Sequence, residues 1–301
     1  MNRRSFLKTS AVVTTGTSAI IPPFSNDRLV NKKSQLLKAS KQAFPLAITM
    51  WEFSWLERRW PGAGYENWDQ ALTELVLRGY DAVRIDAFPH LVAAGPQKKW
   101  SINPHWDNQE WGSPYFTEVQ VQPMLNEFIR HCKKYGVRVG LSTWWREDID
   151  ETAKKIKTPE NLGTVWKKTL ESIEADGLLD NVIFVDLSNE YPISVWTPYL
   201  PEKTLRNSAL ANRYAHRAID LLKKAYPDIP FCLSITTEFD MWQKEDTSMQ
   251  DLLEFHIWIA NCSEFNKEVG YNFQRFGNGD YKKLQLRGEQ EYRKKEKYYL
   301  T

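Results

Sequence analysis

Asn189 and Glu190 stand side by side at the end of an apolar run, Val182 to Leu187. A carboxyl group there can give and take a proton. An amide beside it can donate a hydrogen bond to a hydroxyl of the molecule being acted on. An Asn-Glu pair by itself is common, so its position matters more than its identity. Other apolar runs end in comparable residues. Trp51 and Glu52 follow Leu46–Met50, and Arg84 and Asp86 close Ala82–Asp86. Thr143, Trp144 and Trp145 follow Val137–Ser142, Thr237 and Glu238 follow Phe231–Thr236, and His256 and Trp258 lie on Leu253–Ile259. Each has a plain structural reading as well. Arg84 can pair with Asp86 or Glu52, His256 can be a satisfied core histidine, and the tryptophans can be core.

The elements that position these residues repeat one pattern. A helix is predicted from about Trp68 to Arg78, with Asn67 as its cap, Leu72, Leu75 and Val76 on one face, and Gly79 as its stop. A second runs from about Val119 to Tyr135 and stops at Gly136. A third opens at Thr158-Pro159 and closes at Gly177, and a fourth spans about Leu205 to Ala225 before Pro227. A short helix is expected near Met249, and a helix-like, charge-rich segment over Glu289 to Leu300. The runs between helices are continuously apolar, which suits parallel strands covered on both faces. Strands alternating with helices predict an α/β fold with a parallel sheet. Six strands can be counted where a closed barrel has about eight, so the expectation is a (β/α)8 barrel type truncated after about six. In such a barrel the functional groups sit at the C-terminal ends of strands, where the residues above fall.

Composition narrows the partners. The chain has 301 residues, 42% of them hydrophobic, which suffices for one large domain. Its net charge is +2, and no basic stripe alternates with aromatics, so nucleic acid is not expected. Thirteen tryptophans are many; those not in the core would suit flat apolar ligands such as the C–H faces of sugar rings. Trp100, Trp106 and Trp111 crowd one loop and suggest a cleft or a wall over a pocket. Cys132, Cys232 and Cys262 lack the spacing of a zinc site and are odd in number. No metal and no cofactor are expected from them; Cys132 and Cys232 read as small buried hydrophobes.

Arg3-Arg4-Ser5-Phe6-Leu7-Lys8, followed by the mildly apolar Ala11 to Ile21, resembles a bacterial twin-arginine export signal. The apolar run is too short and too rich in threonine to span a bilayer. Residues 1–25 would then be a leader, 26–42 a polar linker and 43–301 the barrel domain. Such a leader carries three positive charges and no acid, so its removal takes the net charge from +2 to −1. The implied partner is the twin-arginine export machinery and the implied location is periplasmic or secreted.

Val185-Asp186-Leu187-Ser188-Asn189-Glu190-Tyr191-Pro192 resembles the strand-four motif of the large clan of retaining (β/α)8 glycosidases that includes the cellulase-like families. Val83-Arg84-Ile85-Asp86 resembles its strand-two arginine, and Phe255-His256-Ile257-Trp258 its strand-six His-x-aromatic. Trp51-Glu52-Phe53-Ser54-Trp55-Leu56 looks like the start of the sugar-binding cellulase-like proteins of bacteria. The resemblance covers roughly residues 46 to 260. It implies a carbohydrate substrate with a β linkage and Glu190 as acid/base, protonated at rest in a poorly solvated site. It further implies that Asn189 donates to the sugar 2-hydroxyl, Arg84 holds the partner carboxylate, and His256 bonds one of the catalytic carboxylates. Trp51, Trp144, Trp145 and Trp258 would contact substrate.

Two departures stand out. Strand three ends in Trp-Trp where many relatives carry a histidine, and the strand-eight tryptophan under the reactive sugar is absent with its strand; the nucleophile would lie beyond Thr301. Thr-Thr-Glu238-Phe looks like the strand-seven nucleophile motif but falls on strand five by this count. Two other readings stay open. One is a non-catalytic sugar-binding relative with an incomplete carboxylate pair. The other is a metal-dependent sugar isomerase or epimerase barrel with Glu190 and His256 as ligands, aided by His90 and His105.

Overall fold

The computed structural model describes residues 46–49, 54–106, 112–191, 208–234, 248–256 and 298–300. All of them lie in one compact unit, Ala43–Thr301. The expectations for the leader and linker, and those for Trp51, Trp111, Glu238, Trp258 and Cys262, lie outside the described residues.

Five parallel strands form one sheet: β1 (Ile48–Thr49), β2 (Ala82–Asp86), β5 (Arg138–Ser142), β6 (Val182–Asp186) and β7 (Phe231–Cys232). They lie side by side in sequence order, interrupted only by the separate hairpin β3 (Lys99–Ile102)–β4 (Thr117–Gln120). Strands added always on the same side, through right-handed crossovers, put every helix on one face. That is the winding of a barrel; an open doubly wound sheet reverses its strand order partway. A backbone bond from Asp251 N–H to the Phe231 carbonyl, 2.9 Å, brings β8 (Leu253–Phe255) in beside β7.

The helices form where spacing predicted them. In α2 (Trp68–Leu77) the Asn67 side chain accepts from Gln70 N–H at 3.1 Å, satisfying one orphan donor of the first turn. Thr158 does the same for α5 (Pro159–Ala175), accepting from Asn161 N–H at 3.1 Å. Gly79, Gly136 and Gly177 end their helices with φ of 88°, 69° and 66°. Leu125, Phe128, Ile129 and Cys132 are the buried stripe of α4 (Val121–Lys134), and Leu162, Trp166, Leu170 and Ile173 that of α5. Fully burying each large apolar side chain contributes about 1.5–3 kcal/mol. α6 (Ser208–Ala225) presents Ala211, Ala215 and Ala218, small residues that admit close approach. Gly140 on β5 is required by its neighbour: a Cβ there would stand 2.5 Å from the Phe184 ring on β6.

Several expectations change. Residues 117–120 leave the helix expected from Val119 and pair instead with β3, burying Val119 opposite Trp100. Two short helices, α1 (Ser54–Glu57) and α3 (Pro89–Ala94), occupy stretches where no element is predicted. Ser248 and Met249 form a turn, not a helix. The helix-like segment at the end of the chain finishes as a strand: β9 (Tyr298–Leu300) pairs in parallel with β8, Leu253 opposite Tyr298 and Phe255 opposite Leu300. Helix propensity in the Lys/Glu-rich stretch obscured the Tyr-Tyr-Leu triplet, whose two aromatics suit a pleated surface. The β8–β9 pair is a sheet of its own beside the five-stranded one, and the described strands form part of a barrel, as expected.

Candidate active site

Arg84 sits at the bottom of the site. It projects inward from β2, the second barrel strand, and meets Asp186 of β6, the fourth, and Glu254 of β8, the sixth. Interior side chains of alternate strands share one layer in a barrel, which is why these three converge. All three are fully buried. Arg84 Nε lies 2.7 Å from Glu254 Oε1, and its Nη2 bonds Asp186 Oδ2. The same nitrogen reaches Asn189 Oδ1 at 3.0 Å and Ser234 Oγ at 3.2 Å. Burial works against the guanidinium charge, but the two carboxylates outweigh it and hold the group above its ordinary pKa. Burial also pushes Glu254 up, and there Arg84 and His256 win, leaving it below the usual carboxylate range. For Asp186 burial prevails over Arg84, and its pKa is raised.

Asp186 is the hub of this layer. It accepts from Ser142 Oγ at 2.8 Å, Ser234 N–H at 2.9 Å, Ser234 Oγ at 3.0 Å and Ser188 N–H at 3.2 Å. These bonds tie the ends of strands three, four and five together. Above them the chain turns sharply. Phe88, Trp145 and Glu190 all adopt left-handed backbone, φ 46°, 52° and 52°, just after β2, β5 and β6. The left-handed region costs a non-glycine residue roughly 1–2 kcal/mol. Three such residues at the mouths of three strands mark the face where the chain accepts strain to aim side chains.

Asn189 and Glu190 are brought together with His256. The Asn189 N–H donates to the Thr143 carbonyl at 3.0 Å, and its Oδ1 accepts from Arg84. With Oδ1 so engaged, its buried Nδ2 has no hydrogen-bond partner among the described residues. Glu190 N–H donates to Ser234 Oγ at 2.8 Å. Its carboxyl oxygen Oε1 lies 2.9 Å from His256 Nδ1, and its side chain is 12% exposed. Burial alone would lower the His256 pKa; Glu190 and Glu254, on either side of the ring, raise it above its ordinary value.

Arg84 is fully buried and bonds Asn189, whose neighbour Glu190 keeps partial exposure. The carboxylate partners of Arg84 among the described residues are Asp186 and Glu254; Glu52 lies outside the described residues. Asp86 instead accepts from Phe88 N–H at 2.7 Å and Trp144 N–H at 2.8 Å, and burial pushes its pKa up to about 6. Trp144 and Trp145 are buried as well. Trp145 packs on His90 and donates to Ser188 Oγ at 3.0 Å. Trp144 supports Trp106 edge to face, centroids 5.2 Å apart. Trp106, 40% exposed and left-handed at φ 54°, presents a face of its indole.

Asp186, Ser234 and Glu254 were missed as site residues. Glu254 was legible, two positions before His256 and therefore on the same face of its strand. Asp186, Cys232 and Glu254 are the only group of metal-ligand type among the described residues, and Arg84 already bonds both of its carboxylates. Cys132 and Cys232 are buried free thiols. His90 and His105 are both pushed down to about 4 by burial and stay neutral. His90 is committed to the Arg146 carbonyl at 3.0 Å.

The comparisons agree with this architecture. The sugar-binding cellulase-like family matches residues 48–301. A crystal structure described as a candidate glycoside hydrolase, from Parabacteroides distasonis ATCC 8503, is 47% identical. The match covers 85% of this chain and 69% of that one, with a TM-score of 0.71. More distant are an endocellulase from Pyrococcus horikoshii and an exo-β-1,4-mannosidase from Opitutaceae bacterium strain TAV5. The first is 12% identical, covering 88% of this chain and 86% of that one at a TM-score of 0.48. The second is 13% identical, covering 71% and 38% at 0.45. Neither bears on the site at that distance. No curated protein matches. With a five-stranded parallel sheet of barrel winding and a strand-four Asn-Glu in place, the chain belongs to the sugar-binding cellulase-like family.

Proposed function

We propose that this protein is a retaining glycoside hydrolase that cleaves a β-linked oligo- or polysaccharide with Glu190 as its acid/base. The observation that carries the reading is the pairing at the end of β6. Glu190 Oε1 is held by His256 Nδ1 at 2.9 Å while its side chain keeps partial exposure. Asn189 beside it keeps a buried Nδ2 donor directed to no described group. In the first step Glu190 gives its proton to the glycosidic oxygen as the C1–O bond breaks, and a second carboxylate bonds to C1. In the second step Glu190 takes a proton from water, which attacks C1 and releases that carboxylate. Asn189 Nδ2 donates to the sugar 2-hydroxyl, a bond that strengthens as positive charge develops on the ring. The nucleophile is a carboxylate outside the described residues.

The test is the leaving-group dependence of Glu190→Gln in the full-length protein. General acid catalysis contributes about 10²–10⁴-fold, and an activated aryl leaving group does not need it. We expect kcat/KM for a methyl or oligosaccharide β-glycoside to collapse while that for a dinitrophenyl glycoside is largely kept. Equal loss on both would remove Glu190 from the acid role. Oligosaccharide binding by wild type with no turnover of either substrate would favour the sugar-binding reading, which the family's description keeps in view.

Residues 1–25 are proposed to export the protein through the twin-arginine machinery to the periplasm or beyond.

A further inference from the structure

We infer that Ser234, on the segment after β7, is the positioning residue that sets the aim of Glu190. The inference rests on the acid/base reading of Glu190. Ser234 is fully buried, and every hydrogen-bonding capacity of its hydroxyl is used. The oxygen accepts from Glu190 N–H at 2.8 Å and from Arg84 Nη2 at 3.2 Å, and its proton goes to Asp186 Oδ2 at 3.0 Å. A hydroxyl has one proton and two lone pairs, so this is a saturated node. Its backbone is tied to the same segment: Ser234 N–H donates to Asp186 Oδ1 at 2.9 Å, and its carbonyl accepts from Tyr191 N–H at 3.1 Å.

Those bonds hold Glu190 in the left-handed conformation, φ 52°, which is uncommon for a residue other than glycine. The side chain is meanwhile tied to His256. From His256 the chain of contacts continues to Glu254 at 3.7 Å, then Arg84 and Asp186, and returns through Ser234 to the Glu190 backbone. Glu190 is thus held at both ends by one closed circuit drawn from four strands. Ser234 is the member that touches its main chain. Removing the hydroxyl frees the Glu190 peptide to relax toward ordinary backbone, which swings the carboxyl away from the glycosidic oxygen. Binding of the sugar, which Ser234 does not touch, is untouched.

The experiment compares Ser234→Ala, Ser234→Cys and Ser234→Thr with wild type and Glu190→Gln in the full-length protein. The substrates are a dinitrophenyl and a methyl β-glycoside of the sugar that the wild type hydrolyses best. We expect Ser234→Ala to lower kcat/KM on the methyl glycoside by roughly 10–100-fold, part of the full effect of an acid catalyst, and by under about threefold on the dinitrophenyl glycoside. KM should move little, and Ser234→Thr, which keeps the hydroxyl, should recover most of the loss. Ser234→Cys fills the same space with a weak acceptor and carries the same comparison should the alanine variant not fold. Equal loss on both substrates, with or without a fall in melting temperature, makes Ser234 a structural residue and overturns the inference. If Glu190→Gln itself shows no leaving-group dependence, the acid/base reading fails instead; if only the Ser234 variants show none, that reading stands and Ser234 is misassigned.

Discussion

Arg84 Nε lies 2.7 Å from Glu254 Oε1, a bond that crosses the barrel interior from the second strand to the sixth. The same guanidinium holds Asp186 of the fourth strand, so one cation answers two fully buried carboxylates. Removing one partner of a buried ion pair costs about 3–5 kcal/mol, because the other charge is left without compensation. Arg84→Met should therefore destabilise the protein by at least that order in urea unfolding. It should also loosen Asn189, whose Oδ1 loses its donor. A loss below about 1 kcal/mol would mean that the carboxylates are neutral in the fold, and the ionised cluster described above would be wrong.

Asp86 offers a test by pH. Its carboxyl is raised from the ordinary 3.8 to about 6 by burial, against the pull of the Trp144 and Phe88 amides. A group whose folded pKa is raised binds its proton more tightly in the fold. Stability from an acid of this kind is therefore greatest below pH 3.8 and declines until about pH 6, above which the penalty is constant. The shift corresponds to a penalty on the order of 3 kcal/mol, at 1.36 kcal/mol per unit. Asp86→Asn cannot ionise. The difference in unfolding free energy between wild type and this variant should change by a few kcal/mol across that window, in the direction that favours the variant at higher pH. A difference flat from pH 4 to 7 would show that Asp86 titrates normally.

Trp106 is exposed on one side and braced by Trp144 and His105 on the other. An indole held this way can stack under a sugar ring. Trp106→Ala should weaken oligosaccharide binding to the Glu190→Gln protein by roughly tenfold, the equivalent of about 1.4 kcal/mol, with little change in melting temperature. Titration calorimetry reads this directly. Unchanged affinity would confine sugar contacts to other aromatics.

The leader makes a prediction independent of the site. Replacing Arg3 and Arg4 by lysine pairs keeps the charge but removes the twin-arginine signature. Fractionation of expressing cells should then find the protein retained inside with its leader intact. Export of the doubly substituted chain would show that the paired arginines are not read.

Much of this protein was legible from residue order alone. Continuous apolar runs marked β2, β5 and β6 because parallel strands are covered on both faces, and Asn67, Thr158 and the glycines at 79, 136 and 177 marked helix ends because orphan backbone groups need partners. The position of Asn189-Glu190 at a strand mouth was likewise local. Chain-level pattern could not show that Trp144 and Trp145 turn inward while Trp106 faces out, since exposure depends on what packs from elsewhere. Nor could it separate β9 from the charged helix-like stretch before it, because a three-residue strand is stabilised by its neighbour, β8, and hardly by its own preference. Arg84 is the clearest case. Its nearest acid in sequence is Asp86, yet it pairs with Asp186 and Glu254, 102 and 170 residues away. Successive side chains of a strand see only their own neighbours, whereas the winding of a barrel stacks alternate strands into shared interior layers. Which carboxylates meet which cation, and therefore what holds Glu190, was decided by that packing of strands far apart in sequence.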